Sequence, residues 1–317
     1  MKGLTDISGI RVGHISDFQA ITGCTAILCE AGAVGGVDVR GSASGTEELA
    51  ALDPLHVTQQ VHGILLAGGS AFGLEAASGV RRYLERKGVG FTTAAAKVPI
   101  VSAAILYDLE IGRADVRPTV AMGEAAAAAA STDAVAEGAV GAGTGATVGK
   151  ISGMKQAMKS GIGSFTVTLP GGVLVASLVA VNAFGDVRDP ATGKAIAGVR
   201  RAPDSRDLGN TEELMKRGTV GGFGRTNTTL AVVATNAQLT KVQAQKLAQL
   251  AGLGMARSIY PVNTMFDGDV VFALSLGDRR ADINTLGVAG AEAVAGAILR
   301  AVKLAKTLGG VPGLGLK

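Results

Sequence analysis

The chain has 317 residues, of which 47% are hydrophobic and 3% aromatic, with 47 glycines and no tryptophan. This length and apolar content suffice for a large core filled by aliphatic side chains, and the glycine content indicates many tight turns. The net charge of +4 is scattered, without a basic run interleaved with aromatic residues. The most apolar stretch, Gly172–Gly185, is shorter than the roughly 18 residues that a membrane-spanning helix needs. Neither nucleic acid nor a membrane is therefore an expected partner.

The hydrophobic periodicity predicts a layered α/β (α+β) arrangement of helices and sheet, because long strands are grouped apart from the helices instead of alternating with them. The turn at Pro170–Gly172 predicts a hairpin, and Thr240 with Gln243 has capping-box spacing. In chain order, the predicted elements are helices over 72–87 and 121–137, strands over 165–169 and 173–181, a helical turn over 211–217, a strand over 228–235, a helix over 241–257, a strand over 269–276 and a helix over 286–306.

The cysteines and histidines offer no recognised metal-ligand spacing, so we expect neither a metal nor a cofactor. Cys24 and Cys29 are expected to be reduced and buried, as in a cytoplasmic protein. The first ten residues lack the apolar region of a secretory signal. His14, His56 and His62 all lie in the first fifth of the chain, outside any recognisable catalytic motif. A hydrolase built from this sequence is therefore expected to use a base other than histidine.

Two glycine-rich segments resemble known motifs without matching them. Thr144–Ile151 imitates a phosphate loop but lacks its first glycine and the serine or threonine that binds magnesium. Gly68–Phe72 approaches a nucleophile elbow but has phenylalanine at the final glycine position. We retain the turn at 68–73 as a possible backbone donor site before a helix; tight packing of that helix on a sheet is an equally good interpretation.

The segment around Asn227 and Thr228 offers a different nucleophile. A glycine-rich stretch, predicted to be flexible, runs from Gly218 to Gly224 and leads through Arg225 and Thr226 into a buried strand. Cleavage of the bond between Asn227 and Thr228 would place a hydroxyl and a new α-amine on one residue. An α-amine has a pKa of about 7.7–8.0, so it can accept the hydroxyl proton near neutral pH. On these residues alone, an ordinary loop before an ordinary strand is the favoured interpretation.

A family resemblance reverses that preference, because a set of short motifs matches in order along essentially the whole chain. The sequence resembles the L-aminopeptidase/D-amidase-esterase family, which includes β-peptidyl aminopeptidases and nylon-oligomer endohydrolases. The matching motifs are Ile10–His14, Thr22–Thr25, Val37–Gly41, Leu66–Leu74, Val98–Ile100, Thr147–Lys150, Val181–Asp186, Asn227–Thr229 and Asp267–Asp269.

The resemblance implies an αββα four-layer sandwich, shared in broad form with ornithine acetyltransferases, and self-cleavage into chains 1–227 and 228–317 that stay together. It also implies a homotetramer. Several aminopeptidases of the family carry serine after glycine at the nucleophile and pair it with serine and glutamate downstream. This sequence has Asn227-Thr228 and Asp267-Gly268-Asp269, like the nylon-oligomer enzymes, so the substrate stays open among L-, D- and β-peptides and synthetic amide oligomers.

The resemblance also assigns site residues: Lys150 and Asn182 line the site and Tyr107 lies near the substrate. The Asn182 amide could donate to an oxyanion, and the charge of Lys150 would favour ionised carboxylates. Asp267 and Asp269 would titrate as a pair, with one retaining a proton. Without the resemblance, these residues would be interpreted as a surface lysine, turn residues and a core tyrosine.

The predicted function is therefore a self-cleaving N-terminal-threonine hydrolase of small peptides or related amides. One alternative is an acyltransferase like the ornithine/glutamate N-acetyltransferases, which pass the acyl group to an amine. Another is an uncleaved assembly subunit without enzymatic activity.

Overall fold

A computed structural model describes residues 1–219 and 227–316. Its helices are α1 (Ala76–Arg86), α2 (Val120–Ala128), α3 (Thr211–Lys216), α4 (Lys241–Ala251), α5 (Leu253–Ser258) and α6 (Ile283–Leu304). Its strands are β1 (Arg11–Asp17), β2 (Thr22–Val39), β3 (Gly45–Glu47), β4 (Val61–Ala67), β5 (Phe91–Thr92), β6 (Lys97–Val98), β7 (Val101–Ile105), β8 (Thr147–Val148), β9 (Met158–Lys159), β10 (Ile162–Leu169), β11 (Val173–Asn182), β12 (Asp186–Arg188), β13 (Ala195–Ala197), β14 (Thr228–Ala237), β15 (Ile259–Tyr260) and β16 (Val270–Arg279).

Most of the described strands form two large sheets that share the long strand β2. Its first part pairs with β1 and β4, and the first sheet continues through β7 to β3. Its second part pairs with β16, and the second sheet continues through β14 and β11 to β10. The pairs β14–β16 and β4–β7 are parallel, whereas the other pairings within these sheets are antiparallel. One strand thus connects the two sheets of a sandwich.

The side chains of each sheet alternate between a central core and an outer core covered by helices. Between the sheets, Ile64 and Leu66 of β4 meet Leu230 and Val232 of β14. On the outer face of the second sheet, alternate residues such as Val233 pack against α4 and α6. The outer face of the first sheet is covered in the same way by α1 and α2. The order helix, sheet, sheet, helix is the four-layer sandwich that the resemblance implied.

Helix α6 lies close against the second sheet. A Cβ at Gly163 of β10 would lie 2.0 Å from the carbonyl oxygen of Ala297, so only glycine permits this approach. The helix is long and apolar enough to cross a membrane by length and composition. Because it is mostly buried against the sheet, we interpret it as a core helix.

The predicted hairpin is confirmed: β10 and β11 are antiparallel and are joined at Pro170–Gly172. The two strands predicted to be covered on both faces are β14 and β16, with alternate side chains in both cores. The capping box at Thr240 is present, and both cysteines are free and buried. Each of these features depends on the residues of a short stretch of the chain, so the sequence alone could predict it.

The helix predicted over 121–137 is wrong in its second half, because α2 ends at Ala128. Ser131 exchanges backbone hydrogen bonds with Val12 of β1, so sheet pairing replaces the helix that the alanine content favours. The helix predicted over 241–257 divides into α4 and α5 at Gly252. Of the segment Gly218–Gly224, predicted to be flexible, residues 220–224 lie outside the described part of the chain, as do residues 225 and 226.

Candidate active site

Thr228 begins β14 and pairs directly with Asn182, the last residue of β11. Directly paired residues place their side chains on the same face of a sheet, and here that face belongs to the central core. The Thr228 hydroxyl donates to the carbonyl oxygen of Asn227 at 2.5 Å. The hydroxyl therefore lies beside the peptide bond whose cleavage the family resemblance implied. Thr228 is only 3% exposed and Asn227 only 2%, so both residues are buried at the start of β14.

The Asn182 side chain is held at both ends. Its Oδ1 accepts from Lys150 Nζ at 2.7 Å and from the Thr147 N–H at 3.0 Å. Its Nδ2 donates to the backbone carbonyl of Tyr107 at 2.8 Å. Asn182, Lys150 and Tyr107 are therefore brought together as expected, but Tyr107 contacts Asn182 through its backbone. The side chain of Tyr107 lines a narrow cavity together with Lys150 and Glu110.

Asp267 and Asp269 lie immediately before β16 and accept hydrogen bonds from backbone N–H groups. Asp269 accepts from Thr229 at 2.6 Å and from Asn263 at 2.9 Å. Asp267 accepts from the Phe184 N–H at 3.2 Å and from the Thr264 hydroxyl at 2.6 Å. Among the described residues, neither carboxylate contacts the Thr228 hydroxyl. The pair holds the ends of the neighbouring strands through Phe184 and Thr229.

Gly268, between these aspartates, provides a contact that the sequence did not indicate. Its N–H donates to the carbonyl oxygen of Asn227 at 2.8 Å, as part of a parallel bridge between Asn227 and Asp267. A Cβ at this position would lie 2.5 Å from the carbonyl oxygen of Ala43. Glycine therefore lets the segment approach both Ala43 and the Asn227 carbonyl.

Burial shifts the pKa values of the ionisable groups of the site toward their uncharged forms. Burial, together with the neighbouring charge of Asp267, raises the pKa of Asp269 to about 7. Burial also raises the pKa of Asp267. Burial lowers the pKa of Lys150 to about 7, partly offset by the negative charge of Asp267. Both carboxyls therefore hold a proton more readily than a free aspartate does, and a pKa of about 7 makes part of Lys150 a neutral amine near that pH.

Asp108 is a buried carboxyl that the sequence did not single out, and it joins several of the matching motifs. Its Oδ2 accepts from the Thr22 hydroxyl at 2.8 Å and its Oδ1 from the Gly69 N–H at 2.7 Å. Burial raises its pKa to about 6. The possible donor site at 68–73 is therefore used inside the protein. These hydrogen bonds hold Asp108 in place. They thereby also position the neighbouring residue Tyr107, whose backbone carbonyl accepts from Asn182.

A larger cavity of about 740 Å³ lies elsewhere on the molecule, next to α3. Its most buried charged residue, Arg200, donates to the backbone carbonyls of Lys155, Ala157 and Ser205. These bonds occupy the guanidinium in holding loops together. No cluster of three or more histidine, cysteine or acidic side chains that could hold a metal is found among residues 1–219 and 227–316.

Comparison with known proteins identifies the family. The model of peptidase family S58 matches residues 2–314. An uncharacterized aminopeptidase of Mycobacterium bovis is 38% identical over 342 residues, covering 98% of this chain and 96% of the relative. A 6-aminohexanoate-oligomer endohydrolase of Kocuria sp. is 31% identical, covering 94% and 85% of the two chains.

Among solved structures, the L-aminopeptidase D-Ala-esterase/amidase of Ochrobactrum anthropi superposes with a TM-score of 0.74 at 19% identity, covering 98% of this chain and 88% of that chain. At this identity the likeness concerns the fold alone. That structure is described as a variant of the Ntn-hydrolase fold, which agrees with the four layers found here.

Proposed function

The chain belongs to peptidase family S58 and is a hydrolase acting on amide bonds, and on that premise we propose that it cleaves itself between Asn227 and Thr228 and then uses Thr228 as its nucleophile. One observation carries this proposal. The Thr228 hydroxyl and the Gly268 N–H converge on the same carbonyl oxygen, that of Asn227. A nucleophile and an oxyanion donor at one carbonyl group are what acyl transfer requires.

In the first reaction, the Thr228 oxygen attacks the carbonyl carbon of Asn227 and its proton passes to a base. The bond from that carbon to the Thr228 nitrogen breaks, and the nitrogen takes a proton to become an α-amine. Water then hydrolyses the resulting ester, which leaves a carboxylate on Asn227 and restores the Thr228 hydroxyl. During this cut the Thr228 nitrogen is an amide and cannot serve as the base.

Lys150 is the ionisable group best placed to be that base. Its Nζ donates to Asn182 Oδ1, and the Asn182 side chain lies on the same face as Thr228. Its lowered pKa of about 7 supplies the unprotonated amine that a base needs. Asp267 and Asp269 assist by fixing Phe184 and Thr229 and by their charge. Asn182 contributes a further dipole near the developing oxyanion.

In turnover, the new α-amine accepts the hydroxyl proton as Thr228 attacks a substrate amide, and the proton passes to the leaving amine. Water then cleaves the acyl–threonine ester. The substrates are small peptides or related amides.

The hydrolase is distinguished from an acyltransferase by its acceptor. Purified protein is expected to release p-nitroaniline from an aminoacyl p-nitroanilide with water alone, and the acyl group should appear transiently on the 228–317 chain by mass spectrometry. Release that depends on an added amine acceptor, such as ornithine with an acetyl donor, would instead establish a transferase. An intact chain without either activity would establish the non-enzymatic alternative.

We expect Asp267→Asn to slow the first cut roughly tenfold, because a side-chain amide has one accepting oxygen where the carboxylate uses two, and one buried donor loses its partner. Asp267 accepts from the N–H groups of Phe184 and Thr264 and from the Thr264 hydroxyl. The matched control is Asp6→Asn, since Asp6 also accepts from two backbone N–H groups and one threonine hydroxyl, that of Thr166 on the edge strand β10. The cleaved fraction is followed over time on denaturing gels. If Asp267→Asn cleaves itself and hydrolyses amides at the wild-type rates, Asp267–Asp269 is only a structural turn.

Assembly and location are further parts of the proposal. The family resemblance supports a homotetramer of cleaved protomers, and the two free, buried cysteines support a cytoplasmic location. Light scattering should then give about four times the 31.6 kDa mass of one chain. A fully active monomer at low concentration would contradict this assembly.

A further inference from the structure

Asn227 is bound through its backbone and its side chain to the segment Phe266–Gly268. Its N–H donates to the Phe266 carbonyl at 3.3 Å, and its own carbonyl accepts from the Gly268 N–H at 2.8 Å. The side-chain Nδ2 also donates to the Phe266 carbonyl, at 3.1 Å. Asn227 is 2% exposed. This residue is therefore enclosed and oriented by a short stretch of backbone on one side of Thr228.

The role of this stretch follows from the order of the two reactions. In self-cleavage, Asn227 is the acyl group of the first acyl–Thr228 ester. In turnover, the acyl group of the substrate forms the same ester with the same hydroxyl. The departure of Asn227 frees the Phe266 carbonyl and the Gly268 N–H for that second acyl group.

We propose that Phe266–Gly268 is the acyl-binding subsite of the enzyme and that it selects α-aminoacyl substrates. This inference rests on the proposed function. The Gly268 N–H binds the carbonyl oxygen under attack, and the Phe266 carbonyl accepts a hydrogen bond from a nitrogen attached to the adjacent carbon. In Asn227, as in every α-amino acid, the nitrogen is two bonds from the carbonyl carbon. In a β-aminoacyl or 6-aminohexanoyl group it lies further along the chain and misses this carbonyl.

The subsite is held rigidly from its other side. The Ala43 N–H donates to the Asp267 carbonyl at 2.9 Å, and the Arg40 and Gly41 N–H groups donate to the Asp269 carbonyl at 3.1 and 3.2 Å. The Cβ-free Gly268 is pressed against Ala43. A donor fixed before the substrate arrives needs no reorganisation when negative charge develops on the oxygen, which is the property of an effective oxyanion donor.

The substrate preference is tested with p-nitroanilides that share one leaving group. L-Alanyl and propionyl p-nitroanilide differ only by the α-amine, and β-alanyl and 6-aminohexanoyl p-nitroanilide move the amine away. We expect kcat/KM for L-alanyl to exceed each of the others roughly tenfold to hundredfold, the worth of one hydrogen bond from a charged donor. Hydrolysis of propionyl or 6-aminohexanoyl p-nitroanilide as fast as L-alanyl would overturn the subsite and leave the hydrolase intact. An uncleaved protein that hydrolyses none of the four would overturn the proposed function and the subsite together.

The Gly268 donor is tested separately by replacing its peptide N–H with an ester oxygen, using glycolic acid at position 268, so that every side chain is retained. We expect self-cleavage and turnover to slow roughly 10²-fold, the effect of losing one oxyanion donor. The control is the same exchange at Gly252, whose N–H makes an ordinary helical bond to Ala248; its rates should stay near those of the wild type. Unchanged rates in the Gly268 ester would show that another group binds the oxyanion.

Discussion

Replacing Thr228 with alanine is expected to leave a single chain of about 31.6 kDa and to reduce amide hydrolysis to background. The substitution removes the hydroxyl that lies 2.5 Å from the Asn227 carbonyl oxygen, and without it the peptide bond has no internal nucleophile. Loss of a catalytic nucleophile lowers kcat by an amount on the order of 10⁶. Denaturing gels and intact mass give the state of the chain, and anilide hydrolysis gives the activity.

Two further variants show whether the effect belongs to the hydroxyl. Thr228→Ser keeps a hydroxyl and, after cleavage, an amine, so it should process slowly and retain measurable hydrolysis. Thr235→Ala removes a buried hydroxyl from the same strand; this hydroxyl donates to the Leu174 carbonyl. The variant should cleave itself like the wild type. Efficient self-cleavage of Thr228→Ala in a protease-free preparation would contradict the assignment of Thr228 as the nucleophile.

Lys150→Gln is expected to slow the first cut by roughly 10²–10⁴-fold, the usual contribution of a general base. Glutamine can donate to Asn182 Oδ1 but cannot take a proton from Thr228. The wild-type rate should rise with pH through about 7, because the pKa of Lys150 is lowered to about 7 by burial and only its neutral form acts as a base. In Lys150→Gln this rise should be lost.

The matched control is Lys241→Gln. Lys241 also donates to backbone carbonyls, those of Ala51, His56 and Thr58, and burial lowers its pKa, but it lies on α4. It should lose some thermal stability and keep the wild-type cleavage rate and pH profile. A normal rate with an unchanged pH profile in Lys150→Gln would assign the base to another group.

The parts of the fold that could be predicted are those that depend on short stretches of sequence. Pro170–Gly172 between two apolar runs marks the hairpin, and the doubly apolar pattern of β14 marks a strand buried on both faces. The end of α2 could not be predicted in this way. It depends on Ser131 pairing with Val12, more than a hundred residues earlier in the chain, and such pairing overrides helix propensity.

The candidate site likewise has residues that could be predicted from the sequence and contacts that could not. Lys150, Asn182, Tyr107 and the two aspartates were named through the resemblance, and the structure brings them to one end of the second sheet. The Gly268 N–H could not be named, because its contact with Asn227 depends on the parallel register of β14 and β16. Asp108 was missed because a buried carboxyl beside Tyr107 has no sequence signature. A glycine between two aspartates was nevertheless a visible sign of close backbone approach.

Intact-mass analysis of freshly purified wild-type protein under denaturing conditions tests the central claim most directly. Self-cleavage predicts two fragments, one ending at Asn227 and one beginning at Thr228 with a free α-amine, whose masses sum to that of the chain plus one water. A single species at the mass of the intact chain, persisting in a sample that hydrolyses amides, would contradict the account.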